Sequence, residues 1–230
     1  MTRTANRVSP AEGGQHPYIE AKGLTLTTRE GPVYEDVELG FRRDRLGAIV
    51  GRQGSGRSAL LLTLAGRMRG WSGSVNVAGY DAATQTRRLR ERTALARIAD
   101  LVDLEPRLTV TESITERALI DGMPLRRASS RFKTSCAELG VEFANRVLVG
   151  DLSALDQTRL AVALATLRPA EIVFLDEAQR GLDAEQVTAL MDGLVRLTTA
   201  GTLVVVSVLE ANVLPDHADL YRLGGPSLAA

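Results

Sequence analysis

The stretch that decides the fold is Gly51-Arg52-Gln53-Gly54-Ser55-Gly56-Arg57-Ser58, written GRQGSGRS in one-letter code. It follows LGAIV, residues 46–50, a continuous apolar run that predicts a strand buried on both faces. It precedes SALLLTLAGRM, which has helical spacing and no helix breaker before Gly66. A glycine-rich turn between such a strand and a helix lets successive backbone N–H groups converge on phosphate oxygens. The stretch therefore predicts a phosphate-binding loop.

The spacing is that of the P-loop pattern G-x-x-x-x-G-K-[ST], with Arg57 in place of the lysine. Ser58 stands where a hydroxyl would meet Mg²⁺. Arginine keeps the positive charge, but its planar fork is wider than an ammonium. We expect the loop to open or Arg57 to swing outward, which weakens transition-state stabilisation. A ligand-free glycine turn is the alternative. The candidate nucleotide-binding residues here are Gly51, Gln53, Gly54, Ser55, Gly56, Arg57 and Ser58.

A second buried strand ends in two carboxylates. EIVFLDE, residues 171–177, is an apolar run closed by Asp176 and Glu177. Asp176 is placed to hold Mg²⁺ through water, and Glu177 to act as a general base or to orient a water that attacks a γ-phosphate. The alternative is an acidic strand end that caps the next helix. Together with the P-loop, the pattern predicts Ser58 and Asp176 as metal ligands and Glu177 as the catalytic residue.

Periodicity elsewhere predicts alternating strands and helices. IEAKGLTLTT and VYEDVELGF alternate like half-buried antiparallel strands, and TLVVVSVL, residues 202–209, predicts a third fully buried strand. Helices are predicted within residues 111–150, 155–169 and 184–201, the first broken at Gly122-Met123-Pro124. This alternation predicts an α/β fold with a mainly parallel sheet flanked by helices. The arginine-rich segment 84–97 predicts a solvated helix face, with a nucleic-acid patch as the weaker alternative because it lacks aromatic residues.

Composition narrows the class of protein. The chain of 230 residues has 28 Lys+Arg and 28 Asp+Glu, so we expect no nucleic-acid partner. Cys136 is the only cysteine, which is typical of the cytosol, and no apolar run is long enough to span a bilayer. Residues 1–17 predict a disordered tail, 18–224 one domain, and 225–230 a C-terminal tail.

These motifs, in this order, resemble the ATP-binding cassette (ABC) family from about Tyr18 to Gly224. GSVNVAG is similar to the family's GxVxVxG hairpin, PRLTVTESI to its LTVxE stretch, LSALD (residues 152–156) to its LSGGQ signature, and Gly181-Leu182-Asp183 to its D-loop. The resemblance implies a P-loop NTPase core with an antiparallel β subdomain and a small helical subdomain at about residues 100–155.

The resemblance also implies ATP and Mg²⁺ as cofactors, and Ser153 as a further nucleotide-binding residue that acts in the opposite subunit. The implied partners are a second nucleotide-binding subunit, identical or different, and transmembrane permease subunits. The implied location is cytoplasmic, peripheral on the inner face of the cell membrane. The short helical insert is similar to that of drug-exporter-type cassettes, with coupling to the membrane partner through the segment from Asp100 onward.

The sequence departs from the family around the γ-phosphate. Besides Arg57, the signature has Ala154, Leu155 and Asp156 where the family has two glycines and glutamine. Asp156 brings a negative charge near phosphate. Val208 stands at the switch histidine position and Asp100 at the Q-loop glutamine position. No adenine-stacking aromatic lies at residues 27–29, and Tyr34 is predicted to be a core residue.

Three functions are compatible with these features. The first is an ATP-binding subunit of an ABC-type transport system whose hydrolysis is weak. The second is a catalytically inactive pseudo-ATPase that is a structural or regulatory partner of a membrane protein or of an active cassette. The third, a small-molecule kinase, fits the ordered LTV, LS and GLD stretches poorly. Removal of one preorganised group commonly lowers a rate about 10²–10³-fold, and such losses do not simply multiply.

Overall fold

The computed structural model describes residues 17–99 and 101–224. The predicted tail 1–17 lies outside the described residues except for Pro17, and so do the predicted tail 225–230 and Asp100, the predicted Q-loop position. The elements in chain order are β1 (Ile19–Thr28), β2 (Gly31–Phe41), β3 (Gly47–Val50), α1 (Arg57–Leu64), β4 (Trp71–Val77), β5 (Tyr80–Asp81), α2 (Thr86–Arg92), β6 (Thr93–Arg97), α3 (Val110–Ile120), α4 (Leu125–Leu139), α5 (Ala154–Ala165), β7 (Ile172–Leu175), α6 (Ala184–Thr199), β8 (Leu203–Val208) and β9 (Asp219–Arg222).

The parallel sheet has the order β6-β7-β8-β3-β9. Every residue of β3, β7 and β8 is buried, because helices including α5 and α6 cover one face of the sheet, and α1 with the antiparallel sheet covers the other. The register pairs Ile49 with Ser207, and Leu175 with Val206. As a result, the carboxyl ends of β3, β7 and β8 lie side by side, and the loops that follow them meet at one edge.

The antiparallel sheet has the order β2-β1-β4-β5. The alternating residues of β1 pack into a second core, which it shares with α1 and with Phe174 of the parallel sheet. Tyr34 is 1% exposed and its hydroxyl lies 2.7 Å from Thr63 Oγ1, so its predicted place in the core is confirmed. The α/β fold with both kinds of sheet is likewise confirmed.

The expectation of a helix over the whole segment 84–97 was wrong. Only α2 is helical, and it buries Leu89 while its arginines lie at the surface. Thr93–Arg97 forms β6 at the edge of the parallel sheet, paired with β7. The strand was missed because the charges of α2 dominate the pattern, and β6 itself contains small residues and a terminal arginine. The short strand β9, which pairs with β3, was also missed.

Helices α3, α4 and α5 form a packed group beside the parallel sheet. The predicted break between α3 and α4 lies at Gly122-Met123-Pro124, and Pro124 is the N-cap of α4. Cys136 of α4 is buried in this core, and burial raises the pKa of its thiol to about 12. Among residues 17–99 and 101–224, no helix is long and apolar enough to cross a membrane.

Candidate nucleotide site

The loop between β3 and α1 has the backbone conformation that a phosphate cradle needs. Gly54 and Gly56 have positive φ angles of 75° and 90°, a region that favours glycine. A Cβ at Gly56 would lie 2.7 Å from the carbonyl oxygen of Val33, so no larger residue fits there. The loop is tied to the sheet because the Gly51 N–H donates to the Val208 carbonyl at 3.1 Å. The free N–H groups in the first turn of α1 therefore follow a loop whose backbone is held in place.

Arg57 points into the site. The residue is 5% exposed, and its Nη2 lies 3.9 Å from Oε1 of Glu177. Its Nη1 is buried and has no hydrogen-bond partner among the described residues. Of the two expected outcomes, an opened loop or an outward Arg57, the outward side chain was wrong, because the carboxylate of Glu177 offers the guanidinium a counter-charge within the site.

Asp176 connects the P-loop to the parallel sheet. It is fully buried, and its Oδ2 accepts a hydrogen bond from the Ser58 hydroxyl at 2.5 Å. Its Oδ1 accepts from the hydroxyl of Ser207 on β8 and from the N–H of Glu177. Hydrogen bonds of this kind stabilise a carboxylate that is removed from water. Ser207 was missed by sequence reasoning, although a serine inside the apolar run of β8 is a signal that could have found it.

Glu177 has an uncommon backbone. Its φ is 46°, a region that non-glycine residues rarely occupy and that often marks a functional position. Its N–H donates to Ser207 Oγ at 2.9 Å, and its carbonyl oxygen accepts from Arg97 Nη2 at 3.0 Å. The side chain is 31% exposed, so the carboxylate reaches solvent at the edge of the sheet.

Arg97 is a further residue of the site that sequence reasoning missed. It is 8% exposed, and burial lowers the pKa of its guanidinium. Its Nη1 donates to Thr158 Oγ1 at 3.0 Å, and the Thr158 hydroxyl donates to the Ala154 carbonyl at 2.9 Å. Since Nη2 holds the carbonyl of Glu177, Arg97 joins the backbone of Glu177 to the first turn of α5. A polar residue at the end of a short apolar strand was the available signal.

The LSALD stretch, residues 152–156, leads into α5 and forms its N-cap and first turn. The side chains of Ser153 and Asp156 form hydrogen bonds within this turn. Ser153 is the N-cap, and its hydroxyl accepts from the Asp156 N–H at 3.1 Å. The same hydroxyl donates to Asp156 Oδ2 at 2.9 Å. Asp156 thus places a carboxylate at the positive end of the helix, where it interacts favourably with the helix dipole. Both side-chain hydrogen bonds of Ser153 go to Asp156, and none joins it to the P-loop among the described residues.

Val208, which the order of the motifs predicts to stand at the switch histidine position, is fully buried at the end of β8. Its side chain has no hydrogen-bonding atom, and its carbonyl is taken by Gly51. Thr27 and Thr28 are exposed at the end of β1, where the family would place an adenine-stacking aromatic.

The residues fit Mg²⁺ by their chemistry. In nucleotide sites this ion takes one or two protein oxygens and completes its octahedron with phosphates and water. The Ser58 hydroxyl and the Asp176 carboxylate lie together at the mouth of the P-loop and form such a pair. No cluster of three or more His, Cys, Asp or Glu with metal-binding geometry occurs within the described part of the chain, so a cage made of protein ligands alone is not formed there.

A phosphate cradle between a buried strand and a helix, linked through a serine to an aspartate on a neighbouring strand, defines a P-loop nucleotide-binding domain. The family model described as ABC transporter matches residues 34–180. The chain therefore belongs to the ABC transporter family, and the resemblance seen in its motifs is confirmed.

Relatives and solved structures agree with this assignment. The lipoprotein-releasing system ATP-binding protein LolD of Chromohalobacter salexigens is 29% identical over 214 residues, 87% of this chain and 89% of that protein. The structure of cbiO1 from Clostridium perfringens matches with a TM-score of 0.77 at 19% identity, covering 91% of this chain and 85% of that one. A dimeric ATP-binding cassette bound to ADP and Pi matches with a TM-score of 0.71 at 23% identity, over 89% and 94% of the two chains. The fold is that of ABC transporter ATP-binding subunits.

Proposed function

We propose that this chain binds ATP and Mg²⁺ at the interface of a dimer, couples to separate membrane subunits of an ABC-type transport system, and hydrolyses ATP weakly. The observation that carries the proposal is that Asp176 accepts hydrogen bonds from both the Ser58 hydroxyl and the Glu177 N–H, next to a glycine-rich loop. The family assignment supports the class of activity. The proposed domain runs over residues 18–224, with its helical subdomain at about 100–155.

The phosphates of ATP would lie on the loop between β3 and α1. The proposed contacts in this chain are Gly51, Gln53, Gly54, Ser55, Gly56, Arg57 and Ser58, and Ser153 would face the nucleotide of the opposite subunit. Ser58 and Asp176 would hold Mg²⁺, which when bound screens the negative charge of the phosphate oxygens. The Ser58 hydroxyl already donates to Asp176, so binding requires that hydrogen bond to be exchanged.

Glu177 is the proposed base. Its carboxylate is partly exposed, which leaves room for an attacking water, and its backbone is fixed by Ser207 and Arg97. Arg57 lies 3.9 Å from this carboxylate. This ion pair competes with the contact that the Glu177 carboxylate would make to an attacking water. The arrival of phosphate would offer Arg57 a competing anion and release Glu177.

Weak hydrolysis follows from the groups that would meet the γ-phosphate. The hydroxyl of Ser153 is engaged by Asp156, whose carboxylate repels phosphate. Val208 offers no hydrogen bond at the switch position. Stabilisation of the transition state by preorganised donors is therefore reduced on two sides of the site.

The experiment is ATP binding and turnover by the purified chain with Mg²⁺, beside the Glu177→Gln and Arg57→Lys variants. We expect binding with slow turnover that Glu177→Gln abolishes and Arg57→Lys raises. Turnover that is unchanged in Glu177→Gln would contradict the assignment of the base. A matched control is Glu105→Gln, which removes an exposed carboxylate whose hydrogen bond is to the Arg107 N–H.

The second candidate function is a pseudo-ATPase that pairs with an active cassette. The hydrogen bond between Ser153 and Asp156 favours this function, because a turn that is occupied by its own side chains would make the nucleotide site of the partner inactive. The site with Ser58, Asp176 and Glu177 could still face a complete signature motif of the partner. Binding without turnover in the purified chain, followed by turnover after a complete cassette is added, would support this function. Turnover by the purified chain alone would exclude it.

The proposed partners are a second nucleotide-binding subunit, identical or different, and transmembrane permease subunits. The proposed location follows from them: the cytoplasmic side of the cell membrane, reached through the permease. The solved dimer that this fold matches supports pairing of the cassettes. Co-purification with membrane proteins encoded beside the chain tests the permease assignment. A substrate-dependent phosphotransfer assay distinguishes the small-molecule kinase.

A further inference from the structure

An arginine-rich cleft lies away from the nucleotide site. It has a volume of about 750 Å³ and is formed by the segment after α1, the start of β4, helix α2 and the end of the α5 region. This size is in the range of small-molecule sites. Its charged lining residues are Arg69, Arg87, Arg90, Glu91 and Arg168. The indole of Trp71 forms one wall.

Two of these arginines are held by backbone carbonyls. Arg90 Nε donates to the Gly66 carbonyl at 2.7 Å. Arg168 Nη2 donates to the carbonyls of Arg90 at 2.5 Å and of Thr93 at 3.0 Å. The guanidinium groups are therefore fixed in place without a carboxylate. Arg168 Nε is buried and has no hydrogen-bond partner among residues 17–99 and 101–224.

The positive charge of this region is compensated only in part, since Glu91 is the one carboxylate beside four arginines in the lining of the cleft. Neither Arg90 nor Arg168 forms a salt bridge within the described ranges, whereas Glu91 lies 3.5 Å from Arg87. Arg67, beside the cleft, donates to the carbonyls of Ala65 and Thr93. Burial, and then the neighbouring charges of Arg168 and Arg90, lower the pKa of Arg67 to about 10. A chain with balanced total charge thus concentrates cations on one concave surface.

We propose that this cleft binds a small phosphate-bearing anion, at a site separate from the P-loop. Guanidinium groups recognise phosphate through paired N–H donors, and fixed guanidinium groups lose little conformational freedom when they bind it. Arg69, Arg90 and Arg168 all line the cleft, and their guanidinium groups supply the donors. The concave shape favours a soluble molecule over a flat membrane surface. The proposal does not depend on ATP hydrolysis.

The test uses Trp71, because it is the only tryptophan in the chain and lies in the cleft. Sodium tripolyphosphate is titrated into the full chain without Mg²⁺ while tryptophan emission is recorded. We expect a saturable change in emission that weakens with added salt. Arg168→Gln should weaken the apparent affinity about tenfold or more, since it removes charge-assisted hydrogen bonds.

The controls keep the proposal falsifiable if Arg168→Gln does not fold. Arg69→Gln removes a cleft charge at an exposed position and should weaken binding severalfold, whereas Arg107→Gln removes an exposed charge outside the cleft and should leave binding unchanged. Ser58→Ala should not alter the response of Trp71. A response that survives Arg69→Gln and Arg168→Gln but is lost in Ser58→Ala would overturn the proposal. A response to anionic phosphatidylglycerol vesicles but not to tripolyphosphate would also overturn it.

Discussion

Replacement of Thr158 by valine tests the link between α5 and the backbone of Glu177. Valine has nearly the shape of threonine, so no cavity forms at this fully buried position. The change removes the acceptor of Arg97 Nη1, which is 3.0 Å away, and leaves a charged donor buried beside the already unpartnered Nε. A hydrogen bond to a charged group contributes about 1.5–3 kcal/mol. We expect the free energy of unfolding to fall by about this amount in urea titrations followed by circular dichroism.

A double-mutant cycle separates this hydrogen bond from other effects of the substitution. In an Arg97→Met background the charged donor is absent, so Thr158→Val should cost less than about 0.5 kcal/mol. Thr158→Ser is the matched control, because it keeps the hydroxyl and loses only one methyl group. In Thr158→Val alone, the amide of Ala178, next to Glu177, should exchange hydrogen faster. Equal costs of Thr158→Val in both backgrounds would refute the reasoning.

Three further predictions concern the loop, the signature turn and the buried thiol. Gly56→Ala should lower the free energy of unfolding by at least about 2 kcal/mol because its Cβ meets the Val33 carbonyl at 2.7 Å, whereas Gly54→Ala, with open space around it, should lower it by about 1 kcal/mol in the same urea assay. Ser153→Ala removes the N-cap of α5 and should cost about 1 kcal/mol; an unchanged unfolding midpoint would show that the cap is not formed in solution. Burial raises the pKa of the Cys136 thiol from 9.0 to about 12, so the folded state binds this proton more tightly than the unfolded state. The protonated thiol therefore contributes fully to stability below pH 9, and this contribution is lost as the pH rises toward about 12. Near pH 10 the loss is about 1.4 kcal/mol, and Cys136→Ala should show a correspondingly smaller decline of stability between neutral pH and pH 10.

The central strands could be predicted from the sequence because their signals are local. LGAIV, EIVFLDE and TLVVVSVL are continuous apolar runs, and only strands covered on both faces require such runs. The P-loop could be predicted for the same reason, since its three glycines lie within one stretch of eight residues. The edge strands β6 and β9 were not predicted because their pairing with β7 and β3 supplies stability that their own composition does not indicate.

The contacts within the site could not be predicted because they join distant segments. Arg97 reaches Thr158 and Glu177 across 61 and 80 residues, and Ser207 reaches Asp176 across 31. Sequence reasoning treated Arg57 as a misfit to a loop shaped for lysine. It had no means of placing the carboxylate of Glu177 within 3.9 Å of the guanidinium.

The hydrogen bonds within the first turn of α5 have a consequence for how the sequence of this chain can change during evolution. The Asp156 N–H donates to Ser153, and the Asp156 carboxylate lies at the positive end of the helix, so the turn is stabilised without a bound phosphate. A helix that needs an external anion is constrained by that anion, and mutations that lose the ligand also loosen the helix. In this chain the stability of the helix is separate from the binding of an anion. Because the turn is stabilised without a ligand, substitutions in a phosphate site beside it would leave the fold of the domain intact.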